Sequence, residues 1–181
     1  MDMKQIGIIC GSLRENSYNR IIGENLAKMD ETVSFSFISI GDLPLFNEDL
    51  EQGGDPEVVQ QFKEAIRNVD GLILLSPEYN GSVTGALKNA IDWASRPYDS
   101  SVLFDKPTGI IGATMGLAGT AISQMHLRQV LDQLHVRVLP FQKVFISQVH
   151  EKVDSNTKQI TDETTVEQLK QYLQQFIAWM N

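Results

Sequence analysis

I-G-I-I-C-G-S-L-R-E-N-S-Y-N-R, running from Ile6 to Arg20, begins as an unbroken apolar run and ends in a glycine followed by hydrogen-bond donors. Ile6, Ile8 and Ile9 fit a parallel strand buried on both faces, and Gly11 permits a sharp exit from it. From Tyr18 the apolar residues recur at helical spacing. Such a strand, turn and helix direct the unpaired N–H groups of the helix start at the turn, where amides and dipole together favour an anion. Ser12, Arg14, Ser17 and Asn19 add side-chain donors, and Arg14 can bind two phosphate oxygens at once. A plainer reading competes with this one: a capped turn with Ser17 or Asn16 as N-cap and Arg14 solvated. The loop is neither G-x-G-x-x-G nor a P-loop, so its own letters leave both readings open.

Outward from this stretch, alternation of strand and helix continues to the end. Tyr18, Ile21, Ile22, Leu26 and Met29 form one helical stripe, with the helix closing near Asp30. V-S-F-S-F from Val33 alternates with serines, as expected of a strand at a sheet edge. Gly41 to Gly54 reads as a loop, after which Asp55 as cap and Pro56 at the first helical position open a second helix through Val69. Gly71 to Ser76 is a short apolar run suited to a central strand, and it leads into P-E-Y-N-G-S, Pro77 to Ser82. A helix over Ala86 to Ala94, a strand over Thr108 to Ala113 and the small-residue loop T-M-G-L-A-G, Thr114 to Gly119, follow. The next helix carries Ile122, Met125, Val130, Leu131 and Leu134, and the fifth strand, Val136 to Leu139 and Val144 to Ile146 after Pro140, is expected to be interrupted or bulged. Residues 148–161 are polar, and Thr164 with Glu167 forms a capping box for a last helix with the stripe Val166, Leu169, Leu173, Phe176, Ile177 and Met180.

Five strand-then-helix units predict an α/β fold with one doubly wound parallel sheet, covered by helices on both faces. The three unusual loops follow the first, third and fourth strands, and in such sheets ligands bind outside the carboxyl ends of the strands. These loops are expected to converge on one ligand. A chain of 181 residues fits a single domain, residues 1–181, that buries roughly 70% of its unfolded surface. Its formal charge of −8 argues against nucleic acid as a partner. The single cysteine, Cys10, excludes an intrachain disulfide, and no apolar run reaches the roughly 18 residues of a membrane span, so a cytoplasmic protein is expected. His126, His135 and His150 show no metal-ligand spacing, and no metal is expected. Trp93, Tyr98 and Met115 read as core or interface residues, although an aromatic beside a flat ligand would suit stacking.

G-S-L-R-E-N-S-Y-N-R at Gly11 to Arg20, S-P-E-Y-N-G-S at Ser76 to Ser82 and G-A-L-K-N-A-I-D-W at Gly85 to Trp93 together resemble the NADPH-dependent FMN reductases, a family that includes flavin, azo-compound, quinone and chromate reductases. The resemblance spans nearly the whole chain. It implies a flavodoxin-like three-layer fold with sheet order 2-1-3-4-5, FMN as cofactor, NADPH or NADH as co-substrate and a small-molecule electron acceptor. It implies further that Ser12, Arg14, Ser17 and Asn19 hold the FMN phosphate, and that Pro77, Glu78, Tyr79 and Asn80 run along the flavin ring. The Thr114 to Gly119 loop, with Thr114 and Gly116, would face the other side of the ring near N1 and O2. No side chain is expected to be catalytic, because hydride moves through flavin N5 in a ping-pong cycle, and Glu78 is assigned to binding. A homodimer or homotetramer is implied as well. Thr84 departs from the pattern, standing where the family often has proline, which would leave that loop less stiff. The competing function is a flavodoxin-like electron carrier that holds FMN without oxidising a pyridine nucleotide.

Overall fold

The computed structural model describes residues 3–140 and 142–180. Five parallel strands form one sheet: β1 (Lys4–Cys10), β2 (Val33–Phe37), β3 (Gly71–Leu75), β4 (Thr108–Ala113) and β5 (Val144–Ile146). Their order is β2-β1-β3-β4-β5, the doubly wound arrangement with its switch point between β1 and β3. β1, β3 and β4 carry runs buried on both faces, as central parallel strands must, whereas β2 is half exposed at the edge. The helices are α1 (Tyr18–Leu26), α2 (Glu57–Arg67), α3 (Gly85–Ala94), α4 (Ala121–Gln133) and α5 (Glu163–Trp179). One apolar cluster packs α1 and α5 against the sheet, and a second packs α2, α3 and α4 against its opposite face. The three layers expected from the alternating pattern are therefore present.

The interruption of the fifth strand has a precise repair in the hydrogen-bond ladder. Thr108 N–H donates to Arg137 and its carbonyl accepts from Leu139, while β5 takes up the pairing only from Val144. Between these segments the amide of Ile110 donates to the Tyr172 hydroxyl on α5 at 2.6 Å. A buried phenol thus replaces the missing strand partner, and burial pushes its pKa up. Tyr172 was not in the stripe expected for the last helix.

Helix ends depart from the sequence reading at several points. α1 closes at Leu26 rather than near Asp30. Asp55 does not cap α2; Pro56 is the N-cap residue, and Asp55 pairs with the buried Lys63 at 2.5 Å. The capping box of Thr164 and Glu167 is absent, because Asp162 caps α5 by accepting from the amide and hydroxyl of Thr165. On α4 the helix stands as expected but its buried face differs: Ile122 and Met125 are 50% and 52% exposed, while Ser123 and Gln124 are fully buried. The polar segment at 148–161 holds a small antiparallel hairpin, β6 (Val153–Asp154) and β7 (Gln159–Ile160). Residues 41–54 contain one short 3-10 turn and lie on α3, held by Asn89 and Trp93 to Pro44 and by a bidentate Arg96–Glu51 pair. None of the helices among the described residues is long and apolar enough to cross a membrane.

Candidate functional site

The loops after β1, β3 and β4 meet at the switch point and enclose an open cleft of about 290 Å³. Ser12, Arg14, Ser17 and Asn19 line it from the first loop, Pro77, Glu78 and Tyr79 from the second, and Thr114 from the third. Asn80 and Gly116 are not part of its lining. Tyr18 and Ala113, which were not expected there, are, as is Met115 of the third loop. Tyr18 was legible only as a helix-stripe residue, and Met115 as a member of the ring-side loop.

The first loop has the features of an anion site. Ser17 is the N-cap of α1, its side chain accepting from Arg20 N–H, as the capped-turn reading expects. Among the described residues the amides of Tyr18 and Asn19 in the first helical turn have no partner and remain available to an anion. Ser12 Oγ accepts from Arg14 N–H at 3.4 Å, which leaves its own hydroxyl hydrogen to donate. The Arg14 guanidinium is exposed and meets no carboxylate among the described residues. Cys10 lies beneath the loop, and burial raises its thiol pKa against the opposing influence of Ser12 and Ser17. Such a donor set fits a phosphate, with backbone amides, hydroxyls and one guanidinium that pairs with no carboxylate among the described residues, while Glu78 in the same lining is engaged by Ser123 N–H.

The second loop is a hairpin closed by a two-residue turn. Tyr79 and Ser82 exchange both backbone hydrogen bonds, and Asn80 and Gly81 between them have φ of 53° and 69°. Asn-Gly is the pair that tolerates this left-handed geometry best, which explains why Asn80 points away at the turn while Tyr79 stands half exposed at the rim. Glu78 is not a free acid: its Oε2 accepts from Ser123 N–H at 3.0 Å and so caps the start of α4. The Ser123 hydroxyl donates to Pro77 O at 2.8 Å and touches Ser76 Oγ. Thr84 donates to Gly11 O at 2.7 Å and accepts from Leu87 N–H. The residue expected to loosen the loop instead ties α3 to the first turn.

The third loop is tied to β5 and the segment after it, through Thr114 N–H to Ile146 O, Val149 N–H to Thr114 O and Gln148 N–H to Gly116 O. Gly119, with φ of 59°, has Phe145 so close that an added Cβ would meet it at 2.7 Å, which makes glycine obligatory there. Asn19 joins this loop to the first one: its amide nitrogen donates to Ala113 O at 2.8 Å and its oxygen accepts from Ala113 N–H at 3.0 Å. Trp93 is buried in the core and Tyr98 packs with Arg96 away from the cleft, so of the three expected core or interface residues only Met115 reaches the site. No group of histidine, cysteine and acidic residues able to hold a metal exists among the described residues.

Comparison with known proteins gives a consistent result. A family model described as NADPH-dependent FMN reductase matches residues 4–151. A 2-hydroxy-1,4-benzoquinone reductase of a Burkholderia species is 40% identical over 177 residues, 97% of this chain and 96% of that protein. An NAD(P)H-dependent FMN reductase of Pseudomonas aeruginosa is 41% identical over 180 residues, 99% and 96% respectively. Among solved structures, the flavoenzyme NAD(P)H:(acceptor) oxidoreductase FerB from Paracoccus denitrificans superposes with a TM-score of 0.89 at 35% identity, covering 98% of this chain and 97% of that one. With the fold, the cleft and these likenesses in agreement, the chain belongs to the NADPH-dependent FMN reductase family.

Proposed function

We propose that residues 1–181 form a single flavodoxin-like FMN-binding domain that oxidises NADPH or NADH and reduces a flat acceptor such as a quinone, flavin or azo compound. Bound in this cleft, FMN would supply two-electron redox chemistry at its N5, with nucleotide and acceptor using the ring in turn in a ping-pong order. The observation that carries this reading is the cleft itself, where the donors of the first loop share one lining with Pro77, Tyr79 and Met115. Ser12, Arg14 and the amides that open α1 hold the phosphate. Pro77, Tyr79 and Met115 give a flat apolar flank for the ring, and the Thr114 to Gly119 loop presents backbone to its polar edge. Glu78, committed to the α4 N-terminus, positions its loop and exchanges no proton.

Quinones head the list of acceptors to test because relatives are named for quinone reduction. We infer also a homodimer or homotetramer, supported by Tyr79, Met115, Leu117, Ile122 and Met125, apolar side chains left half or more exposed beside the cleft. A cytoplasmic setting suits the lone free thiol of Cys10. The test is anaerobic mixing of the FMN-loaded protein with NADPH and, separately, NADH. Rapid bleaching of flavin absorbance by either is expected. Bleaching by a chemical reductant but by neither nucleotide would refute the reductase reading and indicate an electron carrier.

A further inference from the structure

We propose that Asn19 is a positioning residue that couples the phosphate loop to the ring-side loop, and not a ligand of the phosphate. This role rests on the FMN reading above and follows from strand register. β3 and β4 pair with Leu75 opposite Ile111, and the ladder's last bond runs from Ser76 N–H to Ile111 O. Two residues further on, the parallel register asks Ser76 O and Glu78 N–H to pair with Ala113 N–H and O, but the chain leaves the sheet at Pro77 and neither bond forms among the described residues. Ala113 is buried and would be left with an unpaired donor and an unpaired acceptor on that side. The Asn19 carboxamide fills the gap with both partners, at 2.8 and 3.0 Å, and acts as a peptide group borrowed from α1. Asn19 is only 5% exposed.

The consequence is mechanical. The residue after Ala113 begins the loop that flanks the ring, and the residues before Asn19 carry the phosphate donors. One side chain therefore fixes the distance between the two ends of the cleft. Thr84 to Gly11 joins the first loop to α3, and Ser123 to Pro77 and Glu78 joins the second loop to α4, so the three loops are linked pairwise through buried side chains. Among the described residues, the Asn19 link is the one that runs directly from the start of α1, behind the first loop, to the residue before the third loop.

A phosphate ligand and a positioning residue give different answers with riboflavin, which has the ring and lacks the phosphate. Affinities of the apo protein for FMN and for riboflavin are measured by fluorescence titration for wild type, Asn19→Ala, Asn19→Asp and Arg14→Ala. Asn19→Ala is expected to weaken both flavins by a similar factor, about tenfold for two lost buried hydrogen bonds. Asn19→Asp keeps the acceptor for Ala113 N–H and loses the donor, and it too is expected to weaken riboflavin; it decides the matter if the alanine variant does not fold. Arg14→Ala is expected to weaken FMN alone. Riboflavin affinity unchanged in the Asn19 variants would overturn the proposal, whether FMN binding fell, as for a phosphate ligand, or held while only the unfolding temperature dropped, as for a purely structural residue. A wild-type protein that bound neither flavin would instead overturn the FMN reading beneath it.

Discussion

Replacing Arg14 by alanine separates binding from folding more cleanly than any other change at this cleft. The side chain is exposed, lines the cleft and has no carboxylate partner among the described residues, so its loss removes no intramolecular contact that stabilises the fold. Stability should change by no more than about 0.5 kcal/mol. A hydrogen bond to a charged group contributes about 1.5–3 kcal/mol, so the FMN dissociation constant should rise roughly 10- to 100-fold. The first-turn amides and the Ser12 hydroxyl remain, which is why binding weakens and is not abolished. Because the attraction is between an exposed cation and a phosphate, the gap between wild type and variant should narrow as salt rises. The assay is quenching of flavin fluorescence at two ionic strengths, alongside thermal unfolding. Full retention of FMN by the variant, at unchanged affinity, would refute the assignment of the first loop to phosphate. So would a parallel loss of stability, since it would show a structural bond that the arrangement of Arg14 excludes.

Other expectations follow from the same structure. Tyr172→Phe leaves the buried Ile110 amide without a partner and should cost about 2 kcal/mol, or roughly 4–8 °C in Tm by calorimetry; an unchanged Tm would show the hydroxyl to be dispensable. Asp162 is held below the ordinary carboxylate pKa by the Thr165 hydroxyl and amide, so its charge stabilises the fold above the ordinary value of 3.8 and that contribution is lost as pH falls through the lower folded value. The stability advantage of wild type over Asp162→Asn should accordingly fade in acid, and an advantage constant from pH 7 to pH 2 would contradict the capping role. If the proposed homo-oligomer forms through the exposed stripe of α4, Ile122→Asp combined with Met125→Asp should lower the sedimentation coefficient to that of a monomer. An unchanged sedimentation coefficient would refute that face as the interface.

The sheet was legible because its central strands must be apolar on both faces and its edge strand need not be; G-L-I-L-L at Gly71 and V-S-F-S-F at Val33 differ in that way and in no other essential. The cleft was legible where it uses unusual letters, at Ser12, Arg14 and Pro77. What could not be read were side chains spent on backbone far away in sequence. Asn19 and Ala113 are separated by 94 residues, and Ile110 and Tyr172 by 62, so no local pattern announces either bond. The facing of α4 has the same origin. Its apolar residues Ile122 and Met125 were legible but not their exposure, because Pro77 and Val144 present carbonyls that Ser123 and Gln124 satisfy. At the start of α5 two neighbouring oxygens could cap, and Asp162 with its charge prevails over Thr164.

The burial of Cys10 makes the chain its own reporter. The thiol sits at the carboxyl end of β1 beneath the first loop, and burial raises its pKa. It touches a shallow cleft that Ser12, Leu13 and Arg14 of that loop also line, so the rate at which a thiol reagent labels it depends on how closely the loop covers it. With no second cysteine in the sequence, the signal has a single source. A ligand that fastens the loop over the sulfur should slow that labelling, which turns one sulfur atom into a gauge of occupancy that needs neither colour nor turnover.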